Sequence, residues 1–202
     1  MKEEAGGDSA RTRIIRAAAE LFHKQGVHLT SPDEIIEASG TGKGQFYHYF
    51  KNKEGLIHAV MQCYLDDIEN GTSQVNFDID SWEGLQGWFE RHLELQIMSE
   101  MTRACPIGAM ASDVTERDEL IRQDVALILD VMRRKLVNFF RKEKAAGRLA
   151  KEADEEALAT FCLGAVQGGM LLGRIARASR PAAQVVSEAL AHIRTYWVGS
   201  QT

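Results

Sequence analysis

Residues 30–53, TSPDEIIEASGTGKGQFYHYFKNK, decide the fold that the sequence predicts. Ser31, followed by a proline, is typical of a helix N-cap, and Glu34 stands where it can close a capping box. Gly40 follows at the position where a helix ends in a left-handed residue. Lys43–Phe50 then predicts a second short helix whose two phenylalanines face inward. Two short helices joined by a glycine turn predict a helix-turn-helix, whose second helix can lie in the major groove of DNA.

Charge is distributed unevenly along the chain. The whole sequence has a formal net charge of −5, which argues against a protein that coats nucleic acid generally. Between Gly40 and Lys53, however, there are three lysines and no Asp or Glu: Lys43, Lys51 and Lys53. Such lysines alone more often indicate a solvated helix face. Because they coincide with the helix pair, we interpret them as a local surface that docks on DNA.

Lys53 falls in the first turn of the next predicted helix, after Asn52 as its N-cap. The helix macrodipole disfavours a cation at that position, and a residue that breaks a local rule is a candidate for function. A DNA phosphate at the helix N-terminus would bind both the ammonium and the free backbone N–H groups. The alternative is a surface lysine that costs a few tenths of a kcal/mol. The neighbouring residues favour the phosphate interpretation.

Residues 11–60 resemble the N-terminal domain of the TetR family of transcriptional regulators. The resemblance covers the whole of this range with fixed internal spacing, and it is weaker beyond residue 70. The matching pieces are Ile14-Ile15, Ala17-Ala18, Leu21-Phe22, Gly26, Thr30, Ala38-Ser39-Gly40, Lys43-Gly44, Phe46-Tyr47, Phe50 and Lys53-Glu54. The sequence departs from the family at Thr41-Gly42, where an apolar β-branched residue followed by Ser or Thr is more common. Gly42 therefore offers no hydroxyl to a phosphate.

The resemblance implies a DNA-binding surface around the second helix of the pair. Gln45 has the amide suited to adenine, and Lys43 can donate to guanine. Capping alone would explain Thr30 and Ser31, which could also contact phosphate. The residues assigned to this surface are Thr30, Ser31, Thr41, Gly42, Lys43, Gly44, Gln45, Tyr47, His48, Tyr49 and Lys53.

The predicted fold class is all-α: an N-terminal three-helix helix-turn-helix domain and a C-terminal helical domain for ligand binding and dimerisation. We expect a disordered tail at 1–8, the DNA-binding domain at 9–69 and the effector-binding and dimerisation domain at 70–202. No strand signal is present, and the three prolines stand at predicted helix boundaries. Helical periodicity predicts helices over 9–25, 31–39, 43–50 and 53–70, then from Ser81 as a cap, and over 117–146, 153–178 and 182–198, with a break at 105–108.

The predicted helix at 153–178 is apolar nearly all round between Phe161 and Gly173. A helix without a polar face is buried on every side. In a chain of 202 residues, this predicts one face on its own core and another on a second subunit. The last two helices resemble the family's dimerising bundle. A two-fold homodimer would present its recognition helices roughly 34–36 Å apart, as a palindromic operator in double-stranded DNA requires.

An effector pocket is predicted within the C-terminal helices. Aromatic and soft side chains are more often plain core than ligand contacts, and the family resemblance raises the expectation of a cavity. His92, Gln167 and Arg174 stand out, because a buried polar group needs a partner and a ligand can provide it. We expect an apolar or aromatic small molecule with one polar handle. The predicted pocket residues are Trp88, Phe89, His92, Met98, Cys105, Phe140, Phe161, Gln167, Met170 and Arg174.

A thiol-based trigger is the alternative. The three cysteines are too widely spaced for a disulfide framework or a zinc site, and no metal or cofactor is expected. Cys105 precedes a proline and follows Arg103, a cation that could lower its pKa. The alternative function is therefore a regulator that senses electrophiles or oxidants through Cys105. The competing interpretation is a boundary cysteine packed under a loop.

Enzymatic activity is not expected, because the sequence has no phosphate-binding glycine loop, no His-Glu-x-x-His helix and no nucleophile elbow. The polar N-terminal residues do not resemble a targeting segment. The longest uncharged run is too short and too rich in glycine to cross a bilayer, so no membrane partner is expected. The sequence thus predicts a cytoplasmic, dimeric regulator. Repression is favoured over activation, since a dimer on an operator blocks polymerase without further contacts.

Overall fold

The computed structural model describes residues 8–113, 115 and 118–198. These residues form nine helices, without any strand among them beyond one isolated bridge between Leu149 and Trp197. The helices are α1 (Ala10–Gln25), α2 (Pro32–Ser39), α3 (Lys43–Phe50), α4 (Lys53–Glu69), α5 (Trp82–Met98), α6 (Pro106–Ser112), α7 (Glu119–Ala145), α8 (Glu155–Ala176) and α9 (Ser179–Arg194). The predicted all-α fold class is confirmed.

The first helix buries one face and ends at a glycine, as the sequence predicts. Ser9 is the N-cap, and its side-chain oxygen accepts a hydrogen bond from the Thr12 N–H. Gly26 follows the helix with a φ of 90°, a conformation that L side chains rarely adopt. The residues buried on α1 are Ile14, Ile15, Ala18 and Phe22.

Local capping fixes the ends of α2. The Ser31 hydroxyl accepts from the Glu34 N–H at 3.3 Å, and Glu34 Oε2 accepts from the Ser31 N–H at 2.7 Å. Both arms of the predicted capping box are therefore present. Gly40 ends the helix in the left-handed region, with φ 61° and ψ 36°. The helix-turn-helix bounds predicted from these signals are confirmed.

Several helix ends farther along the chain differ from the prediction. Pro106 and Pro181 lie inside the first turns of α6 and α9. The prediction placed Pro106 in a break between helices and Pro181 just before the last helix. Proline is tolerated in a first turn because the N–H groups there have no intrahelical acceptor, so the N–H that proline lacks costs no hydrogen bond. The last helix also ends at Arg194 rather than Val198. The predicted start of α7 at Arg117 and the tail at residues 1–7 lie outside the described residues.

Contacts divide the chain into two compact units. The first contains residues 1–64 together with 109–126, and the second contains 65–108 and 127–202. The predicted boundary at residues 69 and 70 divided the chain into consecutive segments instead. Sequence periodicity identifies helices but does not show that a distant segment returns to the first unit. As functional domains, the predicted ranges stay a prediction.

The second unit has its core among α5, α8 and α9. Leu85, Trp88 and Phe89 of α5 are at most 2% exposed, and Ile193 of α9 is fully buried. Gly169 allows α8 to approach α9, since a Cβ at this position would lie 3.3 Å from Val185. By length and composition α8 could also cross a membrane, a test that core helices of soluble proteins pass as well.

Candidate nucleic-acid interface

The two faces of α3 are distributed as the sequence predicts. Phe46 and Phe50 are buried, at 0% and 5% exposure. Their rings pack edge to face, with centroids 6.0 Å apart. The other residues of this segment are exposed: Gly42 at the N-cap, and Lys43, Gly44, Gln45, Tyr47, His48 and Tyr49 on α3. Seven of the assigned residues are thus accessible along one short segment of the chain.

The N-terminus of α3 is open to a close approach. Apart from its immediate chain neighbours and the backbone of its own helix turn, no described atom lies within 4 Å of the position that a Cβ would take at Gly42 or at Gly44. Because these two residues lack side chains, a duplex can reach the backbone N–H groups of the first turn directly. This surface therefore suits a phosphate or a base edge at the start of the helix.

The two candidate base-reading side chains have partners within the protein. Lys43 Nζ lies 2.9 Å from Asp33 Oδ1, and this contact raises the pKa of Lys43. Gln45 Oε1 accepts a hydrogen bond from the Gly42 N–H at 3.2 Å. Both pairs are exposed, so DNA groups can replace the partners at little cost. Asp33 was not among the predicted residues, although it stands in the first turn of α2.

The hydroxyl groups on either side of α2 already make hydrogen bonds within the protein. Thr30 is 1% exposed, and its hydroxyl donates to the Gly26 carbonyl at 2.7 Å. Its predicted place on the DNA-binding surface is therefore corrected, because the side chain is buried and bonded within the turn between α1 and α2. Thr41 is half-buried and shares a 2.7 Å hydrogen bond with Ser39. Ser31 is exposed at the cap of α2.

Lys53 begins α4 after the predicted cap, in which Asn52 Oδ1 accepts from the Gly55 N–H at 2.8 Å. The lysine is half-buried, and burial lowers its pKa while the charges of Glu34 and Asp118 oppose that shift. Together with His28 and Asp118 it lines a cleft of about 370 Å³ within the first unit. Lys53 thus stands in the first turn of α4, as predicted, and its contact with a DNA phosphate stays a prediction.

A tight turn joins α3 to α4. Lys51 has a φ of 62° and a ψ of −46°, and the Asn52 N–H donates to the Phe50 carbonyl at 2.6 Å. This geometry is a γ-turn, a strained conformation for a residue with a side chain. Gly55 is required beside it, since a Cβ there would lie 2.3 Å from the Phe50 carbonyl oxygen. The turn therefore fixes the orientation of α3 relative to the start of α4.

Asp113, directly after α6, and Asp124 of α7 contact distant parts of the first unit. Asp113 Oδ2 accepts from the Val27 N–H at 2.7 Å, beside Gly26. His28 Nε2 is 2.7 Å from the Asp113 carbonyl oxygen, and His58 Nδ1 is 2.8 Å from the buried Asp124. Sequence reasoning missed these residues, because no local signal links positions so far apart in the chain.

The predicted effector-pocket residues separate into two groups. Buried in the second unit are Trp88, Phe89, His92, Cys105, Phe140 and Met170, and Gln167 is half-buried. The other three lie at the surface of the described chain, because they stand on the sides of α5 and α8 that face away from the core. Their predicted place in an enclosed pocket is corrected for Met98, Phe161 and Arg174.

His92 is the buried titratable group of this core. Burial lowers its pKa to about 4, although a hydrogen bond to the Trp88 carbonyl opposes the shift. The ring Nδ1 lies 2.8 Å from that carbonyl oxygen, and its plane is edge-on to the Trp88 ring at 4.6 Å. Gln96, one turn farther along α5 and 1% exposed, was missed by the sequence analysis. Its spacing of four residues from His92 could have identified it.

The cysteines give no specific support to thiol sensing. Cys105 is 6% exposed, which leaves its sulfur little access to an oxidant. Cys162 is fully buried, and burial raises the pKa of its thiol. Both cysteines are buried in the second unit.

Comparisons with known proteins agree with this geometry. Residues 14–60 match the bacterial regulatory proteins of the tetR family, and residues 83–189 match the tetracyclin repressor-like C-terminal domain. The chain is 28% identical over 168 residues to the uncharacterized HTH-type transcriptional regulator YxaF of Bacillus subtilis (strain 168), covering 82% of this chain and 85% of that protein. It is 26% identical over 152 residues to the transcriptional regulator AcuR of Cereibacter sphaeroides, covering 74% and 69%.

Solved structures show the same fold. The regulatory protein TetR from Rhodobacter sphaeroides superposes with a TM-score of 0.77 at 23% identity, over 94% of this chain and 99% of that chain. A TetR transcriptional regulator from Chloroflexus aurantiacus J-10-FL gives a TM-score of 0.78 at 21% identity, over 93% and 96%. The family matches span both the helix-turn-helix and more than half of the chain beyond it. The protein is therefore a DNA-binding transcriptional regulator and belongs to the TetR family.

Proposed function

We propose that this protein is a homodimeric repressor that binds a palindromic operator and leaves it when a small molecule occupies the C-terminal core. The observation that carries the proposal is the exposed α3 surface, with Lys43 and Gln45 outward and the glycine-rich N-terminus open. Direct readout requires such donors and acceptors at the start of a recognition helix. A regulator of this kind works where the DNA is, in the cytoplasm.

Dimerisation is supported by an exposed apolar stripe on α8. Ile175, Leu171 and Leu172 are 73%, 53% and 53% exposed, and Phe161 is 39% exposed. Between them, the space beside Gly164 and Gly168 is open in the described chain. Spacings of three and four residues along a helix form the seam through which two helices pack. We infer that the α8 stripe, defined as residues 161, 164, 168, 171, 172 and 175, covers its counterpart in a second copy.

Operator selection tests this proposal. The purified protein is incubated with a library of random duplexes, and bound duplexes are recovered, sequenced and footprinted. We expect an inverted repeat with half-site centres about 10 base pairs, or a multiple of one helical turn, apart. A matched experiment uses Gln45→Ala, which should select a changed base at one position of each half-site. Recovery of sequences without any shared half-site would contradict the proposal.

Repression is tested by placing the selected operator across a promoter. Transcription by purified polymerase should fall as the protein is added, because the bound dimer occupies the promoter. A promoter whose operator half-sites are scrambled provides the control. Increased transcription from the intact promoter would identify an activator instead.

A further inference from the structure

Buried polar atoms without partners concentrate in the second unit. Trp88 Nε1, Gln96 Oε1 and Gln167 Nε2 are buried and have no hydrogen-bond partner among the described residues. Leaving such an atom buried and unpaired destabilises a protein, so native proteins keep few of them. All three belong to helices α5 and α8. Their grouping on two facing helices indicates a place where another molecule supplies the missing hydrogen bonds.

Two of these atoms flank His92 on one stripe of α5. Trp88, His92 and Gln96 are four residues apart and are all at most 5% exposed. The His92 ring is neutral near pH 7, because its pKa is lowered to about 4. Its Nδ1 faces the Trp88 carbonyl oxygen, which can only accept, so Nδ1 carries the hydrogen and Nε2 is left as an acceptor. The stripe thus offers a donor at Trp88 and acceptors at His92 and Gln96.

Small residues surround His92 on the opposing helices. It lines a void of about 10 Å³ whose other walls include Ala165, Gly169 and Met170 of α8 and Ala182 of α9. That volume is no larger than a single water requires. A ligand must therefore displace side chains, and Met170 is a soft, unbranched side chain that can move. A ligand bound here would therefore have to open a site that is closed in this structure.

The charges of the unit restrict the ligand. No lysine or arginine among the described residues is buried, and the buried carboxylate of Glu143 is already bound by Arg148 through two 2.6 Å contacts. An anion in this core would lose its hydration without gaining a counter-charge. A cation would meet neither a free carboxylate nor a charged partner on the stripe. The ligand is therefore uncharged.

We propose that the effector is a small apolar molecule bearing an uncharged hydroxyl group, such as a phenol or an alcohol, bound between α5 and α8 beside His92. This inference rests on the proposed function and names the effector class for it. A hydroxyl group both donates and accepts, so it can donate to His92 Nε2, which lines the void, and its chemistry matches the acceptor at Gln96 Oε1 and the donor at Trp88 Nε1 that lack partners. The rest of the ligand would fill the space opened by movement of Met170.

Calorimetric titration of the purified protein tests the site directly. The probes are phenol, benzyl alcohol and benzoate, which share a ring and differ in charge. We expect phenol or benzyl alcohol to bind and benzoate to bind at least ten-fold more weakly. His92→Phe should weaken binding of the hydroxyl probe by about 3- to 10-fold, the value of one hydrogen bond. The matched control is His192→Phe, at an exposed histidine of α9, which should bind like the wild type.

A second variant keeps the test decisive if His92→Phe fails to fold. Met170→Ala enlarges the void, and it should tighten binding of the hydroxyl probe. Benzoate binding as tightly as phenol, or unchanged phenol binding in both variants, would overturn the inference. Binding of none of the probes would overturn it as well. Operator selection does not use these probes, so failure of the effector class and failure of the proposed regulator are distinguishable.

Discussion

At the scale of single residues, the proposed DNA-binding surface combines a side chain expected to contact bases with one expected to contact phosphate. Gln45 stands outward on α3, whereas Lys53 is half-buried at the start of α4 between the charges of Glu34 and Asp118. A contact to a base edge changes sequence preference, but a contact to phosphate does not. Replacing Gln45 should therefore change sequence preference, whereas replacing Lys53 should weaken binding to all sequences.

Lys53→Ala should weaken binding to every duplex and lower the slope of log affinity against log salt by about one, because one phosphate contact is lost. Gln45→Ala should instead alter base preference and leave the slope close to that of the wild type. Titrations of a selected operator and a random duplex at several salt concentrations measure both effects. Lys142→Ala, at an exposed lysine of α7, provides the control and should change neither. Equal slopes for wild type and Lys53→Ala would disprove the phosphate contact.

His92 makes stability depend on pH. Its pKa is about 4 in the folded protein and 6.5 in an unperturbed histidine, so the unfolded chain takes up a proton first as the pH falls. Stability should therefore decrease between pH 6.5 and 4 and level off below that range, by a total of about 3 kcal/mol from this residue. Urea unfolding of wild type and His92→Gln across this range measures the difference. A parallel pH profile for the two proteins would contradict the prediction, and His48→Gln, at an exposed histidine, should match the wild type.

Predictability of the site differed from residue to residue for physical reasons. The outward direction of Lys43, Gln45 and Tyr47 followed from helical spacing once Phe46 and Phe50 were recognised as core. The buried place of Thr30 could not be predicted, because its hydroxyl bonds to the Gly26 carbonyl in an irregular turn. Contacts such as Asp113 with Val27 depend on the return of a distant segment, for which the sequence has no local signal.

At the scale of helices and turns, strong caps made the first four helices predictable. The Ser31–Glu34 capping box and the left-handed Gly40 are sequence signals specific to a helix start and a helix end. Farther along, Pro106 and Pro181 were ambiguous, because proline suits both a break and a first helical turn. The γ-turn at Lys51 was not predictable either, since a lysine seldom adopts a positive φ.

Substitutions at two glycines of this region should affect stability and DNA binding differently. A Cβ at Gly55 would lie 2.3 Å from a backbone oxygen, whereas no described atom is within 4 Å of one at Gly44. We expect Gly55→Ala to destabilise the protein by about 1–3 kcal/mol, as overpacking commonly does. Gly44→Ala should stabilise α3 by about 0.5–1 kcal/mol through helix propensity and still weaken operator binding, because the methyl group blocks close approach of the duplex.

Thermal unfolding and operator titration on the same preparations measure these two effects. Gly44→Ala should raise the melting temperature and at the same time reduce the affinity for the operator. A Gly44→Ala protein that binds the operator as tightly as the wild type would show that the duplex does not approach this backbone. A Gly55→Ala protein of unchanged stability would show that the α3–α4 turn relaxes without cost.

At the scale of the whole molecule, the proposed DNA-binding surface is a locally basic segment on an acidic chain. The formal net charge is −5, so association with DNA elsewhere on the protein is disfavoured. One subunit offers a single recognition helix, and specificity for a palindrome requires two at a fixed separation. If the α8 stripe joins the two subunits, it has to be apolar and exposed in a single chain, and Leu171, Leu172 and Ile175 meet both conditions.

Ile175→Glu should convert the proposed dimer into monomers, because a carboxylate on the apolar α8 stripe loses its hydration when the interface closes over it. Sedimentation at micromolar concentration should then give the mass of one chain, and operator affinity should fall by at least ten-fold while circular dichroism stays helical. Met98→Glu is the matched control, since Met98 is also 73% exposed in the same unit but lies on α5, away from the α8 stripe. If Ile175→Glu sediments like the wild type, the stripe is not the interface. If it is monomeric with undiminished operator affinity, a single subunit is enough for recognition, and the dimeric mechanism is wrong.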